Sequence, residues 1–291
     1  MSWQAYQIIL RLHSPLHIGW GRVSYLQRIH PYVTGRVLRG ALVSRVARNQ
    51  PELISDDPLD PYRRVSKTLA AYLAFTYFYP ALEKGNEQWE AYFPWENETV
   101  FRLRFLSSYV STALAYPDQT AAEGLLYETE FISPYTLDDG KPVYLMGYIF
   151  VDEAHLKRES YDWAGVLCRL QLGGERGYGW GDVRLEKIGR ISNETPLFDR
   201  DIRLDLQQKR PTVHLEAGQR VLAHTNAQAG YLAGHVEPII GREWRADNEE
   251  KKRSQNVSVG QHLPFNGVQF VPGSIVTQKS VFSIGEAGYW Q

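Results

Sequence analysis

The chain has 291 residues and a mass of 33.4 kDa, long enough for one large or two ordinary domains and for burying about three quarters of its unfolded surface. Its 43% hydrophobic and 22% charged residues exclude a mainly disordered chain, while 24 Gly, 15 Pro, 18 Tyr and 8 Trp speak against a coiled coil or helical bundle. The net charge of −1 conceals an asymmetry: residues 1–50 hold seven arginines, no lysine and no acid, so this segment carries +7 and the remainder −8.

An all-arginine block suits planar, bidentate contacts to phosphate and points to an anionic partner; ion pairing with the acidic remainder is the other reading, and charge alone does not choose. The single cysteine, Cys168, excludes an internal disulfide or multi-cysteine zinc site and fits a reducing cytoplasm. The opening MSWQAYQIIL lacks the basic and apolar regions of a signal peptide. The most apolar stretch, 69–82, contains Pro80 and falls short of the roughly 20 residues that cross a bilayer, so no membrane span is expected.

In chain order, residues 6–13 read as a buried strand ending at Ser14-Pro15. A loop with Gly19 and Gly21 follows, carrying His17, Trp20, Arg22, Tyr25, Arg28 and His30, and then a helix over 36–48 with Thr34 as its cap. Arg36 and Arg39 lie in the first turn, where cations oppose the helix dipole, and so call for an external partner more than Arg45 and Arg48 do. Residues 52–64 read as a surface connection rich in Pro and Asp. The spacing of Val65, Leu69, Tyr72, Leu73 and Tyr77 predicts a buried helix over 65–82. Phe101, Leu103 and Phe105 alternate with Arg102 and Arg104, which predicts a half-buried strand over 100–105 with a basic face. Strands are expected at 127–132 and 142–151, joined through the Asp138-Asp139-Gly140 turn. Trp163, Val166, Leu167 and Leu170 predict a helix over 160–172, with Cys168 as a small core residue.

Next stands Gly173-Gly174-Glu175-Arg176-Gly177-Tyr178-Gly179-Trp180-Gly181, five glycines in nine residues, followed by a strand over 182–186. Such a loop admits positive φ and lets a polyanion approach the backbone, with Arg176 adding charge and Tyr178 and Trp180 stacking faces. The order helix, loop, strand is the reverse of nucleotide-binding glycine motifs, and no Gly-Lys-Ser/Thr follows, so a P-loop is rejected. The plain alternative is a long hairpin-type connection without a ligand. Beyond Arg190 the composition shifts: 191–291 reads as a smaller β-rich unit, a degenerate second copy of the first, or an elaboration of it, with strands at 212–215 and 268–271. A short echo of 32–37 at 270–275 hints at duplication.

Three stretches together resemble the RAMP superfamily of CRISPR-associated proteins: Leu10-Arg11-Leu12-His13-Ser14-Pro15-Leu16-His17-Ile18-Gly19, then Val33-Thr34-Gly35-Arg36-Val37-Leu38-Arg39-Gly40-Ala41-Leu42, and the glycine loop. The resemblance implies an α+β, ferredoxin-like (RRM-like) domain over 1–190, with the glycine loop before its last strand and a β-rich region over 191–291. Repeat-cleaving members usually carry the loop near the C-terminus, and target-cutting backbone members use an Asp in the first loop; this chain departs from both. The Gly-Gly-Glu-Arg start resembles the type III effector subunit that caps the 5′ handle of the CRISPR RNA. That implies a cytoplasmic, non-catalytic RNA-binding protein without cofactor or metal, partnered by CRISPR RNA, the large signalling subunit and backbone RAMP subunits. The expected RNA contacts are Gly173, Gly174, Arg176, Gly177, Tyr178, Gly179, Trp180 and Gly181 with His17, Trp20, Arg22, Tyr25, Arg28, Arg36 and Arg39.

Two rivals accompany this reading. His13, His17 and His30 are the candidates for a metal-independent repeat endoribonuclease, in which a histidine moves protons while a 2′-hydroxyl attacks the adjacent phosphate; a backbone subunit along the guide is a further variant. A protein-binding scaffold, with Tyr289 and Trp290 packing on a partner, is the third class. Asp56, Asp57 and Asp60, like Asp138 and Asp139, sit in turns where local hydrogen bonding explains them.

Overall fold

The computed structural model describes residues 3–50, 60–116, 120–121, 124–159, 161–228, 230–241 and 265–291. The chain opens with β1 (Trp3–Leu12), a hairpin of β2 (Gly19–Val23) and β3 (Leu26–Ile29), then α1 (Gly35–Arg48) and α2 (Asp60–Tyr72). It continues through β4 (Leu73–Phe75), β5 (Tyr79–Gly85), β6 (Gln88–Ala91), α3 (Glu98–Phe105), β7 (Leu106–Ser111), β8 (Leu114–Ala115), β9 (Thr120–Ala121), β10 (Tyr127–Ile132) and β11 (Tyr144–Asp152). The short α4 (Glu153–Leu156), β12 (Leu170–Gln171) and β13 (Asp182–Ile191) complete the first part.

The principal sheet runs β12-β13-β1-β11-β5-β6, with β4 also on β11, and all its pairings are antiparallel. Taking β1, β4/β5, β11 and β13 as first to fourth strands gives the spatial order fourth, first, third, second of a split βαβ unit, with α1 and α2 in the first crossover. The fold is thus α+β and ferredoxin-like. The second crossover carries α4 and 3₁₀ turns at Lys157–Glu159 and Gly165–Cys168 where a full helix is usual.

Both faces of the sheet are covered at its central strand, which explains why β11 is apolar along its whole length. Ile8, Leu10 and Leu12 of β1 join Leu145, Ile149 and Val151 of β11 beneath Leu38, Leu42 and Val46 of α1 and Val65 and Leu69 of α2. On the opposite face Ala5, Ile9, Tyr79, Met146, Tyr148 and Phe150 pack against Leu197, Phe198, Val213, Leu222, Phe282 and Trp290. That cover comes from the segment after β13, both its turns and its strands: β14 (Arg203–Asp205), β15 (Thr212–Leu215), β16 (Thr225–Asn226), β17 (Leu232–Ala233), β18 (Val236–Ile240), β19 (Phe265–Phe270), β20 (Ile275–Val276) and β21 (Ser280–Ser283). Trp290, expected as a partner contact, is buried against Phe282, and its backbone N–H donates to His224 O.

Several expected elements differ. Of the connection expected at 52–64, residues 52–59 lie outside the described residues and the rest already belongs to α2. The helix expected at 65–82 ends at Tyr72, because the following run pairs with β11 as β4 and β5. Residues 100–105 form α3: Asn97 accepts the Val100 N–H at 3.1 Å, Phe101 and Phe105 stack one turn apart at 5.0 Å, and Leu103 is 71% exposed. Its Arg102 and Arg104 pair with Glu130 and Asp138, so no free basic strand face exists there. The helix expected at 160–172 shrinks to one 3₁₀ turn, with Cys168 exposed. Thr34 precedes α1 without a side-chain capping bond. The strands around the Asp138–Gly140 turn lie in different sheets, and the echo at 270–275 leads into strand β20 where 32–37 opens a helix.

Candidate functional site

The glycine loop connects β12 to β13, which pair antiparallel through Leu170–Val183 and Gln171–Asp182. It is therefore a hairpin loop before the fourth ferredoxin strand, seated on the segment that follows β1. Gly174 donates to His17 O and Gly181 to Pro15 O, both at 2.8 Å, while Gln171 Nε2 donates to the carbonyls of Arg176 and Trp180. Glycine is required at two positions. At Gly173 (φ +74°) a Cβ would lie 2.2 Å from His17 O, and at Gly181 (φ +80°) 1.9 Å from Leu172 O.

The tip is different. Residues 176–178 make a 3₁₀ turn in which Tyr178 N–H bonds Glu175 O and Gly179 N–H bonds Arg176 O. A Cβ at Gly177 would meet nothing within 4 Å, and its φ lies outside the left-handed region. Gly179 has equally open surroundings but a φ of +82°. Tyr178 is 77% exposed, and Arg176 is exposed with no carboxylate partner among the described residues.

The region expected as a loop at 14–30 is mostly the β2–β3 hairpin. It belongs to a second sheet ordered β2-β3-β10-β7, in which β3 and β10 run parallel. His17 anchors the hairpin base: it is buried between Gly19 and Gly174, and its Nδ1 lies 2.7 Å from Glu130 O. The buried Glu130 carboxylate receives Arg28 Nε at 3.2 Å, Ile29 N–H at 3.1 Å and the Arg102 guanidinium. Arg28 is thus a structural cation. Arg22 instead donates only to Ser24 O, at 2.7 Å, and finds no carboxylate among the described residues. Tyr25 is half exposed at the hairpin turn.

Trp20 is 52% exposed and its indole N–H donates to Glu237 at 2.5 Å. Glu237 also receives His224 Nε2 at 2.5 Å, and His224 Nδ1 takes the Tyr77 hydroxyl at 2.7 Å. His30 stands 3.8 Å from Glu237 and stacks on Tyr32 at 5.3 Å. Burial lowers its pKa to about 4 against the opposing Glu237 charge, with His224 and Arg36 lowering it further. Desolvation works against ionisation of Glu237, but the hydrogen bonds from His224 and Trp20 help bring its pKa below the ordinary carboxylate value.

The remaining candidates engage the C-terminal segment. Arg39 bonds Ser66 Oγ at 2.9 Å and Glu286 at 3.2 Å, and the Arg36 guanidinium lies against Gly241. The structure therefore joins the loop of Gly173, Gly174, Arg176, Gly177, Tyr178, Gly179, Trp180 and Gly181 to His17 at the hairpin base, while Arg39 turns to Ser66 and Glu286 and Arg36 lies against Gly241. Sequence reading missed Tyr109 and Phe131: the Trp180 ring meets Phe131 edge-on at 5.1 Å and Tyr109 at 6.4 Å. The signal available was the alternation in 106–111 and 127–132. No helix among the described residues is long and apolar enough to cross a membrane.

No protein-family profile and no curated protein matches the chain. Among solved structures, it is similar to a chain of the type III-B Cmr-beta assembly bound to cognate target RNA, at 12% identity and a TM-score of 0.41 over 62% of this chain and 96% of the other. A chain of the apo assembly matches over the same shares, at 12% identity and a TM-score of 0.38. A chain of the assembly with cognate target RNA and AMPPnP matches at 12% identity and 0.44 over 96% of this chain and 86% of the other.

Proposed function

We propose that the chain is an RNA-binding subunit of a type III CRISPR effector complex and that it holds the 5′ handle of the CRISPR RNA without chemistry of its own. The observation that carries this reading is the glycine-loop tip. Gly173 and Gly181 are required by packing, but Gly177 is required neither by φ nor by a neighbour, and it stands between an exposed arginine and an exposed tyrosine. A backbone left bare there suits close approach of a phosphate, with Arg176 and Tyr178 supplying charge and a stacking face. The resemblance of 10–19, 33–42 and the loop to RAMP proteins points the same way, and the large signalling subunit and backbone RAMP subunits are the proposed protein partners. A binding role fits the histidines too: His17 is buried with Nδ1 on a carbonyl, and His30 is held neutral beside Glu237.

The test is fluorescence anisotropy with guide RNA bearing or lacking the handle. Arg176→Ala and Tyr178→Ala are expected to weaken binding of handle-bearing RNA, the tyrosine variant by about 1–3 kcal/mol, and Arg176→Ala to flatten the salt dependence. Equal affinity for both RNAs, untouched by either substitution, overturns the proposal. Discrete cleavage of repeat RNA in EDTA, lost in His13→Ala, shifts the assignment to the ribonuclease.

A further inference from the structure

We infer that one face of the β2-β3-β10-β7 sheet, edged by Trp180, is a stacking platform for single-stranded RNA, with Tyr109 and Phe131 as base-contacting residues. The inference rests on the RNA-binding reading above and extends it to a surface separate from the glycine-loop tip. Paired residues in a ladder share a face, and alternate residues along a strand face opposite ways. The register Arg22–Gln27, Gln27–Thr129 and Thr129–Tyr109 therefore lays one row across all four strands, with Phe131 and Ser107 in the adjacent row.

The only acids in these strands are Glu128 and Glu130, and alternation turns both to the other face. There they meet Ser108, Arg28 and Arg102. The platform face thus keeps Arg22, which meets no carboxylate among the described residues, while Glu128 and Glu130 are turned to the other side, a segregation complementary to a polyanion. Tyr109 is 60% exposed, and Phe131 and Trp180 are partly exposed. Trp180 stands edge-to-face with both rings, so the three aromatic side chains form one cluster at the edge of this face. Thr129, in the centre of the row, is only 3% exposed, so the accessible part of this face lies around it at Tyr109, Phe131 and Arg22; its hydroxyl has no hydrogen-bond partner among the described residues. Duplex RNA hides its base faces and fits this surface poorly.

The full chain is titrated with a 5′-labelled single-stranded oligoadenylate lacking any handle, with the same oligomer containing abasic positions, and with its duplex. The expected result is weaker binding by about 5- to 100-fold for Tyr109→Ala and Trp180→Ala and for the abasic oligomer, recovery in Tyr109→Phe, and little duplex binding. An oligomer with one 4-thiouridine is expected to cross-link to Tyr109, Phe131 or Trp180. Tyr109 is exposed, so its variants test the idea even where Trp180→Ala unfolds. Wild-type affinity in Tyr109→Ala with cross-links confined to 176–179, or failure to bind oligoadenylate while handle-bearing guide still binds, overturns the platform and leaves the handle reading standing. Unchanged RNA affinity in Tyr109→Ala with loss of copurifying subunits makes this face a protein interface and overturns the inference. No binding of any RNA overturns both.

Discussion

Gly177 and Gly181 stand four residues apart and answer to different constraints. Gly181 combines a left-handed backbone with a carbonyl where its Cβ would stand, so Gly181→Ala is expected to cost about 2 kcal/mol or more in urea denaturation. Gly177→Ala is expected to stay within about 0.5 kcal/mol of the parent and yet lose affinity for handle-bearing RNA. Stability and affinity measured on the same two variants separate a glycine kept for packing from one kept for a ligand. Residue type and density made this loop conspicuous in the sequence; which glycine serves which purpose was not legible, because it depends on the carbonyls of Leu172 and His17, one of them more than 150 positions away.

At the scale of elements, the β2–β3 hairpin is tied to β18 by Trp20 and Glu237, and through Glu237 and His224 to Tyr77. His30 sits in that tie neutral. Its folded pKa of about 4 lies below the ordinary 6.5, so the unfolded chain binds the proton more readily and stability falls as pH drops from about 6.5 towards 4. Between pH 7 and pH 5 the loss is expected to be about 2 kcal/mol, and His30→Gln should flatten that slope; an equal slope in both proteins removes His30 as its source. The elements were legible where one pattern dominated, as in β1, α1, β10, β11 and β13. They were misread where two periods coincide. Phe101 and Phe105 satisfy both a strand and a helical turn, and only the exposure of Leu103 distinguishes them. In 65–82 the apolar spacing outlasts α2 because β4 and β5 are covered on both sides, and an apolar run carries no period.

For the molecule as a whole, the centre of the principal sheet is covered on both faces, β11 along its whole length, while β13 keeps one solvent-facing row. Deleting 192–291 would uncover Ile9, Tyr79, Met146, Tyr148 and Phe150 together. At about 1.5–3 kcal/mol for each large buried side chain, that loss rivals the stability of an entire domain. The shortened chain is expected to bind a hydrophobic dye and lose a cooperative thermal transition, whereas a sharp transition and a monomeric elution profile would show that the first part holds its fold alone. The sequence change near residue 190 marked the start of this cover, but not its role, since nothing local tells a strand layer packed on a sheet from one folding beside it. The arginine block proved divided: Arg28 and Arg39 pair with Glu130 and Glu286, whereas Arg22 meets no carboxylate among the described residues.

Because Glu237 accepts the Trp20 indole N–H, the final third of the chain takes part in aiming the β2–β3 hairpin. A chimera that grafts this third from a related protein would inherit a hairpin aimed by someone else's carboxylate, and its affinity for nucleic acid would follow the donor of the graft as much as the owner of the loop.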